Sequence, residues 1–267
     1  MKGRILILLW IGFPPLGWAQ INLMETDTLQ EPVVYVDDES CGCELVFIDG
    51  IQTTTDGERY GFKRQDGSII ADNIYYYVDR FHGEYCKVLY APDSAGMIDR
   101  DGREVIPCIY TDVEYPTEGR FRVQKGLYFG FCDLTGREVV PPSYRAASIY
   151  QEGLAVIAYD FDSFHTEYGF IDTMGMIALE PRYEYAFPFS EGFSVVKKYD
   201  RYGMINKEGR EVIPIKYIVL TSMSQGLYFA GDDQTIALYN NRHERLTEEV
   251  YEGVYGMTED RILVDGR

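Results

Sequence analysis

One hairpin is written repeatedly along this chain, and that repetition limits what it can fold into more than any other feature. Residues 202–217 read YGMINKEGREVIPIKY and residues 95–110 read AGMIDRDGREVIPCIY, with ten of sixteen positions identical. The anchor of the motif is an aromatic residue, a glycine, two apolar residues and an Asp or Asn. It recurs in full or in part around Gly61, Gly96, Gly130, Gly169 and Gly203, with a worn copy at Ile236-Ala237-Leu238-Tyr239. Counted from Gly61 to Ile236, the spacings are 35, 34, 39, 34 and 33 residues. A fixed period of this length is the mark of a repeat architecture.

Each period carries three apolar stretches, clearest from 168 to 201: YGFIDTMGMIALEPRY, EYAFPF and SEGFSVVKKYDR. The first stretch turns at Asp172-Thr173-Met174-Gly175, as its sisters do at Asp99 to Gly102, Asp133 to Gly136 and Asn206 to Gly209. Asp or Asn at the first turn position bonds the backbone beyond it, and Gly at the fourth accepts a left-handed conformation, which predicts a hairpin. The second strand is expected to end at Pro107, Pro141, Pro181 or Pro214, because proline has no N–H for the next rung. A Gly-led third strand follows at Gly119–Val123, Gly153–Ile157 and Gly192–Val196.

Adjacent apolar pairs such as Met97-Ile98, Val105-Ile106 and Val195-Val196 break the alternation of a sheet with one wet face. Both faces are therefore expected to be covered, and a meander this short needs its neighbours to do it. The expected fold is all-β: tandem three-stranded antiparallel meander repeats of about 34 residues, in an open or partly closed, propeller-like array. Six units are expected over residues 60–267, preceded by a segment from 20 to 59 whose CELVFID supplies a capping strand.

The pattern Gly-apolar-Ile-Asp-x-x-Gly-x-x-apolar-Pro-x-x-Tyr, followed by Glu-Gly-apolar-x-Val, resembles the WG-repeat (KWG-repeat) family of bacterial proteins over roughly residues 60 to 267. Where that family carries Trp before the glycine, this chain has Tyr60, Ala95, Phe129, Tyr168 and Tyr202. The resemblance implies β-rich tandem repeats in bacterial, often exported, proteins. It brings no catalytic residues to carry over.

The first 19 residues, MKGRILILLWIGFPPLGWA, read as a secretory signal peptide: a basic start at Lys2 and Arg4, an apolar run, and small residues before a cut near Ala19. Pro14 interrupts the run too early for a membrane span. The mature chain is expected outside the cytoplasm, in the periplasm, on the outer surface or secreted. The formal net charge of −18 becomes more acidic once the leader is removed, which disfavours nucleic acid and anionic membranes as partners.

Five cysteines leave at least one unpaired. Cys132 holds the slot of Ile98, Ile171 and Ile205, and Cys86 falls near the slot of Phe121, Leu154 and Phe193, so both are expected in the core. Cys108 aligns with Pro142 and Ile215 at a strand end. Cys41-Gly42-Cys43 precedes the repeats and lacks two further ligands at zinc spacing, so a disulfide or a free pair is expected there. His82, His165 and His243 hold no equivalent positions, no nucleophile elbow or phosphate-gripping glycine loop is present, and the repeated turn aspartates are explained by their turns rather than by calcium. No catalytic residue, metal or cofactor is expected.

The long spacing of 39 lies in AYDFDSFHTEYG, residues 158–169. Insertions in repeat proteins collect in loops on the binding face, so Tyr159, Phe161, Phe164 and His165 are the candidate binding residues. The function expected is a non-catalytic binding or scaffolding module for protein or cell-envelope glycan. The alternative is an extracytoplasmic hydrolase whose acidic residues converge from different repeats.

Overall fold

The computed structural model describes residues 49–160, 166–221, 226–232, 236–247, 251–258 and 261–266. The leader, Cys41, Cys43 and most of the CELVFID segment lie outside them. Everything described is strand, turn or loop, and no helix among these residues is long and apolar enough to cross a membrane.

Six antiparallel sheets follow one another along the chain. The first holds β1 (Ile51–Thr55), β2 (Tyr60–Arg64) and β3 (Ile69–Tyr75), and the second holds β4 (Tyr77–Val78), β5 (Tyr85–Ala91), β6 (Ser94–Asp99) and β7 (Glu104–Tyr110). The third repeats this with β8 (Asp112–Val113), β9 (Arg120–Lys125), β10 (Tyr128–Asp133) and β11 (Glu138–Tyr144). The fourth is β12 (Ala146–Ala147), β13 (Leu154–Asp160), β14 (Thr166–Asp172) and β15 (Ile177–Tyr183). The fifth is β16 (Tyr185–Ala186), β17 (Phe193–Lys198), β18 (Arg201–Asn206) and β19 (Glu211–Tyr217). The sixth adds a fifth strand: β20 (Val219–Leu220), β21 (Leu227–Gly231), β22 (Ile236–Asn240), β23 (Tyr251–Thr258) and β24 (Arg261–Gly266). The expected three-strand meander is present in every sheet, and from the second sheet on a two-residue strand is added at its edge.

The sequence period and the sheets differ in phase. The Gly-led strand read as the third of its unit pairs instead with the next hairpin: Val123 lies opposite Gly130, and Val196 opposite Gly203. The reason is the turn before it. Thr117–Arg120, Gln151–Leu154 and Ser190–Phe193 are bridged pairs enclosing two residues, and those residues, Glu118-Gly119, Glu152-Gly153 and Glu191-Gly192, are all left-handed. Two consecutive positive φ values make the tight turn that reverses the chain within two residues.

The prolines do not end their strands. β11 runs through Pro141 and Pro142 to Tyr144, and its register against β10 jumps from Phe131↔Val140 to Phe129↔Tyr144. The same jump occurs in β7, β15 and β19, and in β3 without a proline. The extra residues form a bulge, where a missing proline N–H costs no ladder bond. The anchor glycine lies opposite that bulge. A Cβ on Gly130 would stand 2.6 Å from Pro142 N and 2.8 Å from Pro141 C, so the motif demands glycine because the bulged backbone fills the place of a side chain. Tyr60, Ala95, Phe129, Tyr168 and Tyr202 pair across the sheet with Tyr75, Tyr110, Tyr144, Tyr183 and Tyr217, which close each bulge.

Core lies between the sheets. Met97 packs with Val113, Phe121 and Val123 of the third sheet, while the next residue, Ile98, packs with Phe62, Ile70 and Tyr75 of the first. Phe170 and Tyr183 of the fourth sheet likewise meet Ala186, Phe189, Val196 and Ile205 of the fifth. Adjacent apolar pairs therefore serve opposite faces, as their lack of alternation predicted. A fully buried side chain of this size contributes about 1.5–3 kcal/mol, and each sheet obtains that gain only from its neighbours.

Candidate functional site

Successive sheets repeat the same contact, which gathers like features at one end of the array. The left-handed Gly102 docks on the Ile70 carbonyl at the start of β3, and Gly136 on the Val105 carbonyl at the start of β7. Glu118 Oε2 accepts from the Gly153 amide at 2.8 Å, Glu152 Oε2 from Gly192 at 2.9 Å, and Glu191 Oε2 from Gly226 at 2.8 Å. The acidic turn residues of the third, fourth and fifth sheets thus each hold the turn of the next. All these turns lie at one end, and the β5–β6, β9–β10, β13–β14 and β17–β18 hairpin tips lie at the other.

The turn aspartates serve the backbone. Asp99 Oδ1 accepts from Asp101 and Arg103 N–H at 2.9 and 2.8 Å, and Asp172 Oδ1 from Met174 and Met176 N–H, both at 2.9 Å. Asp133 does the same for Thr135 and Arg137, and its hydrogen bond from the Thr135 hydroxyl leads the effects that pull its pKa down to about 2. In the sixth sheet Asn240 keeps this role and His243, at φ 64°, replaces the glycine. No group of three or more His, Cys, Asp or Glu among the described residues is arranged to hold a metal.

The two ends differ in what they expose. At the tip end the exposed large side chains are Tyr76, Tyr77, Tyr90, Leu127, Tyr128, Tyr159 and Tyr199, with Ile74 and Ile109 on the outer strands beside them. At the turn end they are Ile69, Leu134, Met174, Met176, Ile177 and Leu246. Tyr rings face water without penalty to the hydroxyl and offer contact area at low entropic cost. The tip end therefore presents a discontinuous tyrosine surface, and the turn end an aliphatic one.

Of the four candidate binding residues, Tyr159 lies on this tyrosine surface and the other three, Phe161, Phe164 and His165, lie outside the described residues. Tyr159 ends β13, is 39% exposed, and meets Tyr144 edge to face with ring centroids 4.9 Å apart. Sequence reasoning did not single out Tyr77, Tyr90, Tyr128 or Tyr199, although the 34-residue period could have placed them together.

The described cysteines are structural. Cys86 and Cys132 are fully buried, and burial raises both thiol pKa values; that of the half-buried Cys108 is pushed up to about 12, again by burial first. Cys132 occupies the Ile98 slot as expected. The bridged turns show that Cys86 matches Phe121, Ala155 and Ser194, one residue on from Leu154 and Phe193. Cys132→Val is expected to cost less than about 1.5 kcal/mol, because the nearby Tyr110 hydroxyl keeps its 2.7 Å bond to Glu138. Chemical denaturation checks this; rapid modification of native Cys132 by a thiol reagent would refute its enclosed position.

The WG containing repeat family matches residues 96–126, 129–160, 168–202 and 202–231. No curated protein matches the chain. Among solved structures, Hsv2 from Kluyveromyces lactis is similar at 8% identity and TM-score 0.40, covering 79% of this chain and 84% of that one. BamB from Moraxella catarrhalis is similar at 11% identity and TM-score 0.37, covering 80% and 77%. With four matched repeats, each running from one sheet into the next across the second to sixth sheets, the chain belongs to the family of WG-repeat proteins.

Proposed function

We propose that the protein is an exported, non-catalytic binding or scaffolding module for protein or cell-envelope glycan, and that its partners dock on the tip end. The observation that carries this is the asymmetry between the ends, with exposed tyrosines concentrated at the tips. The recurrent acids support a non-catalytic reading over a hydrolase. Asp99, Asp133 and Asp172 accept backbone N–H bonds within their turns, and Glu118, Glu152 and Glu191 accept them between sheets. Export rests on the basic and apolar leader ending near Ala19.

The test is a paired set of variants screened against purified envelope polysaccharides and envelope proteins. Tyr90→Ser combined with Tyr128→Ser and Tyr159→Ser is expected to lose capture while melting near the parent. Met174→Ser combined with Met176→Ser, at the turn end, is expected to keep it. Capture lost only in the methionine variant would place the binding surface at the wrong end.

A further inference from the structure

The β17–β18 tip differs from the other described tips in backbone, exposure and charge. Tyr199 and Asp200 stand at φ 53° and 56° between the paired Lys198 and Arg201. That turn favours Asn-Gly, and a bulky residue at positive φ is an outlier that points toward function. Tyr199 is also the most exposed large hydrophobic side chain among the described residues, at 78%.

The tip is nevertheless fixed. Glu184 accepts from both of its amides, Oε1 from Tyr199 at 2.7 Å and Oε2 from Asp200 at 3.2 Å. Lys197 Nζ donates to Asp200 Oδ1 at 2.7 Å, and Arg201 Nη1 to the Asp200 carbonyl at 3.1 Å. A ring held out on a pinned backbone loses little entropy on binding.

Charge indicates the occupant. Lys197, Lys198 and Arg201 fall within five residues in a chain of net charge −18, beside Glu184 and Asp200, of which Asp200 engages Lys197. Lys216 stands one residue before Tyr217, which pairs with Tyr202 beneath the tip. Lys198 and Lys216 lie over the rings of Tyr199 and Tyr217, at 5.2 and 5.1 Å. Beyond Lys216 a cleft of about 400 Å³ opens between the fifth and sixth sheets, lined by Lys216, Tyr217, Tyr239 and Arg245, with Asp232 and small residues. Ligand pockets begin at about this size.

Resting on the tip end as the binding end, we infer that this edge of the fifth sheet docks an acidic polysaccharide, with Tyr199 as a stacking platform and Lys216 and Arg245 pairing with uronate carboxylates in the cleft. A pyranose lays its C–H face on a tyrosine ring and keeps its hydroxyls in water. An acidic peptide would also need an apolar pocket for its anchor side chains, whereas Lys216, Asp232 and Arg245 stand among the walls of this cleft.

Calorimetric titration of the full mature chain with polygalacturonate oligomers, neutral dextran of like size and polyglutamate tests this. Polygalacturonate alone is expected to bind, more weakly as salt rises. Tyr199→Gly is expected to lose about tenfold in affinity while melting at or above the parent temperature, because glycine relieves the left-handed strain. Lys216→Gln with Arg245→Gln is expected to lose a similar factor. No binding of polygalacturonate, equal binding of polyglutamate, or full affinity in Tyr199→Gly would each overturn the inference. If any of these occurs while the triple tyrosine variant still loses its own captured partner, the tip end remains the binding end and only the acidic-glycan assignment falls.

Discussion

Gly203→Val is expected to destabilise the array by about 3–5 kcal/mol, at the upper end of single substitutions, whereas Lys197→Ala leaves the melting temperature close to the parent. A Cβ at Gly203 would stand 2.5 Å from Ile215 Cγ1 and 2.8 Å from both Ile213 O and Ile215 Cα. The Ile215 side chain could turn away, but the bulged backbone of β19 could not, and valine adds two further carbons to the collision. The bulge cannot be flattened cheaply either, because Tyr217 beyond it pairs with Tyr202. At Gly130 the close neighbours are backbone atoms of Val140, Pro141 and Pro142, so Gly130→Val is expected to cost more than Gly203→Val. Thermal melts of the three variants decide the matter. Equal midpoints for Gly203→Val and Lys197→Ala would refute the packing of anchor glycine against bulge.

In the sixth sheet Ala237 stands where the other units carry the anchor glycine, and Ile236 lies opposite Tyr251 as Tyr202 lies opposite Tyr217. Gly96, Gly130, Gly169 and Gly203 each face a bulge, which ties the motif to one local backbone geometry.

Much of this was legible from residue pattern. The Asp-x-x-Gly turns, the period and the neighbour-covered faces follow from turn chemistry and from pairs such as Met97-Ile98, both of which are local. The two-residue strands were not legible, since Asp112-Val113 or Ala146-Ala147 is too short to show alternation. The bulge was read as a strand end because proline marks both. Glu118, Glu152 and Glu191 looked like ordinary turn residues, for the amides they hold lie 35, 40 and 35 positions further along. The candidate site was legible only at Tyr159, where an insertion marked it. Tyr77, Tyr128 and Tyr199 are distant in sequence, and only the stacking of like units brings their ends to one side.

That stacking also governs how the array should fail. Phe170 is fully buried at the face between the fourth and fifth sheets, its ring 4.9 Å from that of Phe189 in an edge-to-face pair. Phe170→Ala is expected to cost about 3–5 kcal/mol, the lost transfer energy plus an unfilled cavity. In a stacked array, stability is the sum of unit terms and nearest-neighbour interfaces, so the loss should not spread evenly. Amide exchange should accelerate most in β13–β15 and β16–β18, which flank the opened face, and least in the first sheet, whose core among the described residues is shared with the second. Hydrogen exchange with mass spectrometry on parent and variant reads this directly. Uniform acceleration from β2 through β22 would show that the six sheets open as one cooperative body and that the interfaces do not act pairwise. Acceleration confined to the two flanking sheets would identify each interface as a separable term, and would explain why the same hairpin is retained at every step: each copy is one wall of two cores.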